Sequence, residues 1–257
     1  MEEVAPREFI KHLGIKSLIC CFSGGRDSLV STHYVLEHQG LKHREELEIH
    51  VVLVDTTVMI PMVLDFVKEV CNQYDWPLTI LRPDPEFWTL AEKWGTPGIT
   101  RRWCCYYLKL KPIFNFVEGL PPKRCMILGL RRGESSRRRN IPQLIYRRRL
   151  RAWGYNPIIN WSERDVLSYM KKHDLPDPPH YRLGLSETCL CGAFTHVKEL
   201  LIMKAVCPEI FQRFIELEKR LGEGRSVWFD KRKVFARDLA KQRTLPEIAA
   251  GKRGEER

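Results

Sequence analysis

Short apolar runs alternate along this chain with stretches whose apolar positions recur every three or four residues. Ser17–Phe22, Glu48–Asp55, Leu78–Leu81 and Arg124–Leu130 read as strands. Ile49-His-Val-Val-Leu-Val54 is nearly continuous and apolar, as in a parallel strand covered on both faces. Between them fall helical patterns. Residues 1–16 form a short lead-in ending near Gly14, and Asp27–Gln39 is a helix stopped by Gly40. Val63, Phe66, Val67, Val70 and Tyr74 recur at helical spacing, so Pro61–Tyr74 is amphipathic. Glu86–Trp94 is a short helix broken by Gly95-Thr-Pro-Gly98. Cys104–Val117 is another, in which Pro112 marks a kink or a new start. Ser162-Glu-Arg-Asp165 is a capping-box-like start for a helix reaching His173. Pro157-Ile-Ile-Asn160 reads as a further strand or edge segment. Two helical stretches after residue 194 are split by Pro208. Alternating strand and helix patterns predict an α/β fold, doubly wound around a mainly parallel sheet, with a C-terminal helical extension. The expected organisation is an α/β domain over 1–180, a cysteine-containing loop with helices over 181–230, and a charged tail over 231–257.

The break after the first strand adds chemistry. Ser23-Gly24-Gly25 ends the apolar run, and Arg26-Asp27-Ser28 opens a helix. A strand, a glycine turn and a helix N-terminus make an anion site, because backbone N–H groups approach a phosphate closely and the helix dipole favours its charge. The stretch is neither a Walker A loop nor a Rossmann fingerprint. Doubly wound sheets bind ligands at the C-terminal ends of their strands, where Ser23–Ser28 and Asp55 would both lie. Asp55 can accept from a ribose hydroxyl, hold Mg²⁺ or cap a turn.

Composition narrows the class. The chain has 257 residues and is 44% hydrophobic, enough for a substantial core. No apolar run approaches the length of a membrane span, and the acidic start lacks a signal-peptide pattern, so the expectation is a cytoplasmic protein with no membrane partner. The net charge of +11 suits a nucleotide or a polyanion. Nine arginines fall between positions 131 and 151, with Tyr146, Trp153 and Tyr155 interleaved. Such a segment fits RNA or DNA, or else a solvated charged face with core aromatics beside it. Nine cysteines point to metal or redox chemistry where they cluster. Cys104-Cys105 and Cys189-Leu-Cys191 are the clusters; Cys20, Cys21, Cys71 and Cys125 read as buried structural thiols, and Cys207 stands alone.

Ser23-Gly-Gly-Arg-Asp-Ser28 resembles the S-G-G-x-D-S pyrophosphate loop (PP-loop) of the ATP pyrophosphatases and their PAPS-reductase-like relatives. The family more often has Lys where Arg26 stands. Gly129-Leu-Arg-Arg-Gly-Glu-Ser-Ser136 resembles its second signature, G-x-R-x-x-E-S. Arg102-Trp-Cys-Cys-Tyr-Tyr-Leu-Lys109 with Pro112 resembles the C-C-x-x-x-K-x-x-P segment of the iron–sulfur members, and Thr188-Cys-Leu-Cys-Gly-Ala-Phe194 the second half of that site. The downstream Lys198–Lys204 and Pro208–Phe211 stretches fit the same group. The resemblance covers about residues 17–215 and implies an adenine nucleotide alpha hydrolase-like fold. It implies that Ser23, Gly24, Gly25, Arg26, Asp27 and Ser28 bind nucleotide, with Asp55 framing the adenosine pocket. Arg131 would reach a phosphate or sulfate with Glu134 orienting it, so Asp27, Arg131 and Glu134 are the candidate catalytic residues. Cys104, Cys105, Cys189 and Cys191 would hold a [4Fe–4S] cluster, with zinc the other candidate. The family commonly spaces the second pair as C-x-x-C and this chain has C-x-C, which makes Cys207 an alternative fourth ligand.

The resemblance leaves competing activities. In the first, the chain binds ATP with Mg²⁺, transfers AMP to an acceptor and releases pyrophosphate, in preparation for attack by sulfur or nitrogen; a cluster and a basic surface would fit thiolation of a nucleic acid. In the second it reduces APS or PAPS to sulfite. The vicinal Cys104-Cys105 supports that, while the complete loop and the lack of a cysteine after Cys207 count against it. Either would call on a sulfur-donor or electron-donor protein. A third reading is a non-catalytic nucleotide- or nucleic-acid-binding module.

Overall fold

The computed structural model describes residues 5–98, 101–185, 187–193 and 197–221. The charged tail expected from Lys231 and the aromatic Phe194 lie outside them. The elements in chain order are α1 (Pro6–Leu13), β1 (Ser17–Cys21), α2 (Arg26–His33), β2 (Glu48–Val54), α3 (Pro61–Gln73), β3 (Leu78–Leu81), α4 (Phe87–Trp94), α5 (Lys111–Gly119), β4 (Arg124–Ile127), β5 (Leu144–Arg147), β6 (Ala152–Tyr155), α6 (Glu163–Lys172), α7 (Pro179–Arg182), α8 (Val197–Val206) and α9 (Pro208–Leu221). Two compact units emerge: residues 5–54, 63–81 and 111–178, and residues 55–62, 82–110 with the described residues from 179 on. None of the described helices is long and apolar enough to cross a membrane.

The first unit is an α/β fold built on one six-stranded sheet in the order β3-β2-β1-β4-β6-β5. All neighbours are parallel except the β5–β6 pair. The near-continuous apolar strands follow from burial on both faces. On one face Ile19, Val52, Met126 and Ala152 pack with Val117 of α5 and with Leu150. Phe22, just beyond β1, is fully buried and meets Phe66 of α3 and Trp76 edge-on. The order reverses between β1 and β4, which creates a crevice beyond the C-terminal ends of those two strands.

Several local expectations change. The helix from Asp27 is α-helical to His33 and then widens into a π-helical stretch, Tyr34–His38. The Cys104–Val117 helix is continuous but widens into a π-helical stretch, Cys105–Leu110, directly before α5; Pro112, which lacks an N–H to donate, sits beside that widening. Pro157-Ile-Ile-Asn160 is a turn, not a strand. Ile159 N–H donates to Asn156 O and Trp161 N–H to Ile158 O, while both isoleucines are fully buried. Its hydrophobicity reports burial, not extension. The strands of this region are β5 and β6, which the arginine run obscures. The one charged residue within them, Arg147, belongs to the edge strand β5, and charge at an edge deters strand-to-strand association.

In the second unit, residues 58–60 run antiparallel to residues 188–190. Leu190 N–H donates to Val58 O at 2.8 Å and Ile60 N–H to Thr188 O at 3.1 Å. Helices α8 and α9 follow Ala193, outside the sheet. Phe214 of α9 packs on Phe87 and Trp88 of α4, and the Arg213 guanidinium lies 4.2 Å over the Trp88 ring.

Candidate functional site

The loop after β1 is shaped by two glycines used differently. Gly24 has φ 83°, and a Cβ there would fall 2.4 Å from Val63 Cγ1. Both conformation and space therefore require glycine. Gly25 is extended and caps α2 from the N-terminal side. Ser28 Oγ, within α2, donates to Gly25 O at 2.9 Å and accepts from Ser23 N–H at 3.2 Å; the two serine hydroxyls stand 3.1 Å apart. The loop is thus folded over the first turn of α2, whose leading N–H groups have no intrahelical acceptor.

A second loop, after β4, meets it at the switch point. Gly129 is the point of closest approach, because a Cβ there would come within 2.7 Å of the Asp27 carbonyl and of Ser28 Cα. Arg131 Nε donates to Asp27 Oδ2 at 2.8 Å. Burial raises the Asp27 carboxyl above the usual carboxylate range, and the Arg131 guanidinium works against that rise. Glu134 does not reach the guanidinium of Arg131. Its Oε2 accepts the Arg131 backbone N–H at 3.0 Å and pairs with Arg138, so it holds the loop rather than the charged group. Arg26 is engaged by both oxygens of Asp177, at 2.6 and 2.8 Å. Asp177 had no signal in the sequence, since nothing local ties a proline-turn aspartate to a residue 151 positions away.

Asp55 follows β2 and belongs to the second unit. Its Oδ1 accepts from Thr57 N–H at 3.0 Å and its Oδ2 from Arg82 Nε at 3.0 Å. This is a turn-capping arrangement that positions Thr57, a residue at φ 63°.

The four candidate ligand cysteines come together. Cys104, Cys105, Cys189 and Cys191 line one small cavity of 30 Å³ with Thr56, Leu108 and Lys109. Cys104 and Cys191 sulfurs are 3.5 Å apart, and Thr56 Oγ1 donates to Cys189 Sγ at 3.4 Å. The antiparallel pairing of residues 58–60 with 188–190 sets Cys189 in place. A hydrogen bond from Cys104, aided by the Lys109 charge, draws the Cys105 thiol down to about 7 against the cost of burial. The same bond pushes Cys104 up to about 12. Lys109 is raised, because the attraction of Cys189, Cys191, Glu187 and Cys105 outweighs its desolvation. A half-buried cation beside four sulfurs is the charge balance a thiolate-bound metal group needs, so the donor set fits one in its chemistry. Among the described residues, no three His, Cys, Asp or Glu side chains converge as a ready-made ion site, and the cavity holds about one water's volume. Cys207 is buried elsewhere in the fold and does not line it. Cys20, Cys71 and Cys125 are buried, and burial raises the thiols of all three and of half-buried Cys21.

A family model described as the phosphoadenosine phosphosulfate reductase domain matches residues 17–214. An uncharacterised protein of Methanocaldococcus jannaschii is 31% identical over 208 residues, covering 78% of this chain and 47% of that protein. A phosphoadenosine 5'-phosphosulfate reductase of Alkalilimnicola ehrlichii is 31% identical over 175 residues, covering 65% of this chain and 66% of its own. The chain spans about half the length of the first curated relatives it matches. Among solved structures, the phosphate complex of the phosphoadenylyl-sulfate reductase from Candida auris aligns with a TM-score of 0.53 at 19% identity, over 72% of this chain and 88% of that one. That likeness concerns the fold.

Proposed function

Because this chain belongs to the phosphoadenosine phosphosulfate reductase domain family, we propose that it is a nucleotide-acting enzyme that binds ATP at the Ser23–Ser28 loop, adenylates an acceptor and releases pyrophosphate. The observation that carries the reading is the junction of the two loops at the switch point, where Gly24 and Gly129 strip away side chains and Arg131 stands beside the first turn of α2. ATP enters as its magnesium salt. Its β- and γ-phosphates lie on the N–H groups of residues 24–28, where the α2 dipole stabilises them. An acceptor oxygen attacks the α-phosphorus, the bond to the bridging oxygen breaks, and pyrophosphate leaves. Arg131 stabilises the charge that develops on the leaving oxygens, an interaction stronger in the transition state than before it. Asp27 holds the Arg131 guanidinium in register for that task, and Glu134 fixes the backbone that carries it. A later nucleophile displaces AMP from the acceptor.

In the same reading Cys104, Cys105, Cys189 and Cys191 hold an iron–sulfur group, supported by an all-sulfur donor set with Lys109 beside it. Such a group, when bound, supplies a site for sulfur or electron transfer.

A second reading is reduction of APS or PAPS to sulfite. It is favoured by the names of relatives at about this level of identity and by the low thiol of Cys105. One assay separates the two. The full chain, purified without oxygen, is given ATP with Mg²⁺, APS or PAPS, and AMP, pyrophosphate and sulfite are measured. Adenylation predicts pyrophosphate and AMP from ATP, with release falling by 10²-fold or more in Arg131→Ala, the scale of losing one preorganised donor. Sulfite from APS or PAPS with no turnover of ATP would replace this reading with the reductase.

A further inference from the structure

The opposite end of the same sheet carries a second feature that the nucleotide chemistry does not use. The turns that lead into β1, β4 and β6 surround a pocket of 350 Å³ at the N-terminal ends of those strands. Its walls include Lys123, Arg124, Arg151, Tyr146 and Trp153. No acidic residue lines it. Tyr146 sits on the edge strand β5, opposite Trp153 of β6 in the antiparallel register. Their ring centroids are 5.1 Å apart and Tyr146 is 46% exposed. Lys123 and Arg151 both adopt left-handed backbone conformations, with φ 65° and 47°. Arg124 is 7% exposed, donates to the carbonyl of Val117 through Nη1, and has no hydrogen-bond partner at Nε.

An aromatic pair with an open face and three cations around one concavity match a planar base joined to a phosphate. The size is that of a nucleotide-sized pocket. An adjoining groove, sharing Leu13 and Trp153 and continuing along α1 past Glu8, Lys11 and His12, extends it to about three times the volume, at 790 Å³ for the groove alone; Glu8 is the one acidic residue along it. A free nucleotide would not need that continuation, whereas a chain of nucleotides would. We infer that this end of the sheet is a binding surface for single-stranded nucleic acid, with a base stacked on Tyr146 and Trp153 and phosphates on Lys123 and Arg151. The surface is independent of the Ser23–Ser28 loop, from which it is separated by the length of β1, about 16 Å.

The arginine run divides accordingly. Arg131, Arg132 and Arg138 are committed to Asp27, to Ile141 O with Asn160, and to Glu134. Arg151, after the aromatic edge strand, is the member of the run that lines the pocket.

The test is binding by the full chain of a fluorescent uridine RNA of about 12 nucleotides with a 5'-hydroxyl end, compared with an RNA duplex of equal length and with UMP. The single strand should bind at least tenfold more tightly than the duplex, and UMP should not compete at concentrations that saturate the strand. Tyr146→Ala should weaken the strand about tenfold and Tyr146→Phe should restore it, since the stacking ring returns. Lys123→Asn, which tolerates the left-handed backbone, should make the salt dependence shallower by about 0.7 in the log–log slope, one phosphate contact on a single strand. Pyrophosphate release from ATP should be unchanged in all three variants. Equal affinity for strand and duplex, or unchanged binding by Tyr146→Ala, overturns the inference. Competition by UMP as strong as by the strand assigns the pocket to a free nucleotide and overturns it too. If Tyr146→Ala does not fold, a 4-thiouridine strand is photo-crosslinked to the parent protein. Crosslinks in residues 144–153 uphold the surface, and crosslinks found only elsewhere refute it.

Discussion

Gly129 shows how much of the candidate site depends on a missing side chain. Its Cα lies against the backbone of Asp27 and Ser28, so any Cβ would meet fixed main-chain atoms at 2.7 Å. Gly129→Ala should therefore push the two loops apart. The expected outcome is a loss of about 1–3 kcal/mol in a urea titration, as for overpacking of a filled interior, and at least tenfold slower pyrophosphate release. An alanine variant with parental stability and rate would show that the loops do not need this approach. Asp27 and Arg131 form the other residue-scale unit. With Asp27 raised by burial and restrained by Arg131, neither can be changed without leaving the other partly buried and unpaired.

At the scale of elements, α2 is more than an anion site. Its last residue, His33, is buried among Tyr74, Tyr169 and His173, and its Nδ1 is 2.9 Å from the Tyr169 hydroxyl of α6. Burial, reinforced by His173, lowers the His33 imidazole to about 4, while Glu37 pulls the other way and His38 adds to the depression. A group held below its unfolded value stabilises the fold above pH 6.5, and that contribution fades as pH falls toward 4, because the unfolded chain takes up the proton first. Urea midpoints of the parent should therefore fall between pH 7 and 4.5 by the equivalent of about 1–2 kcal/mol. The fall should be smaller in His33→Gln. An identical acid slope in both proteins would locate the acid sensitivity outside α2. The same scale explains the β5–β6 hairpin. Its charged positions hide a strand pattern, yet pairing Tyr146 with Trp153 needs only two alternating apolar sites, which a reading of hydrophobic runs passes over.

At the scale of the molecule, the cysteine centre joins segments 87 positions apart, Cys104 to Cys191. Ligation that closes so long a loop contributes folding free energy as well as chemistry. Cys104→Ser and Cys189→Ser should each abolish iron content and any visible chromophore of the anaerobically purified chain, and the melting temperature should drop by several degrees. Iron content unchanged in either variant would remove that residue from the ligand set. The charge of +11 is also a whole-chain property. It favours polyanions in general but cannot choose among them, and the choice depends on where aromatic rings accompany the cations.

What the amino-acid order determined by itself was local: the apolar runs of the parallel strands, the glycine turn at Ser23–Ser28, the caps of α6, the vicinal cysteines. Each rests on neighbours within a few positions, so periodicity and turn chemistry reach it. Tertiary structure decided what depends on distant partners. It engaged Arg26 with Asp177, turned Glu134 toward a backbone N–H and Arg138 instead of the Arg131 guanidinium, made a buried turn of Pro157–Asn160, and split the arginine run between internal pairs and an open groove. The physical reason is that a charged side chain's role is set by whichever opposite charge or unpaired polar group the folded chain brings within about 4 Å, and no spacing along the sequence encodes that distance.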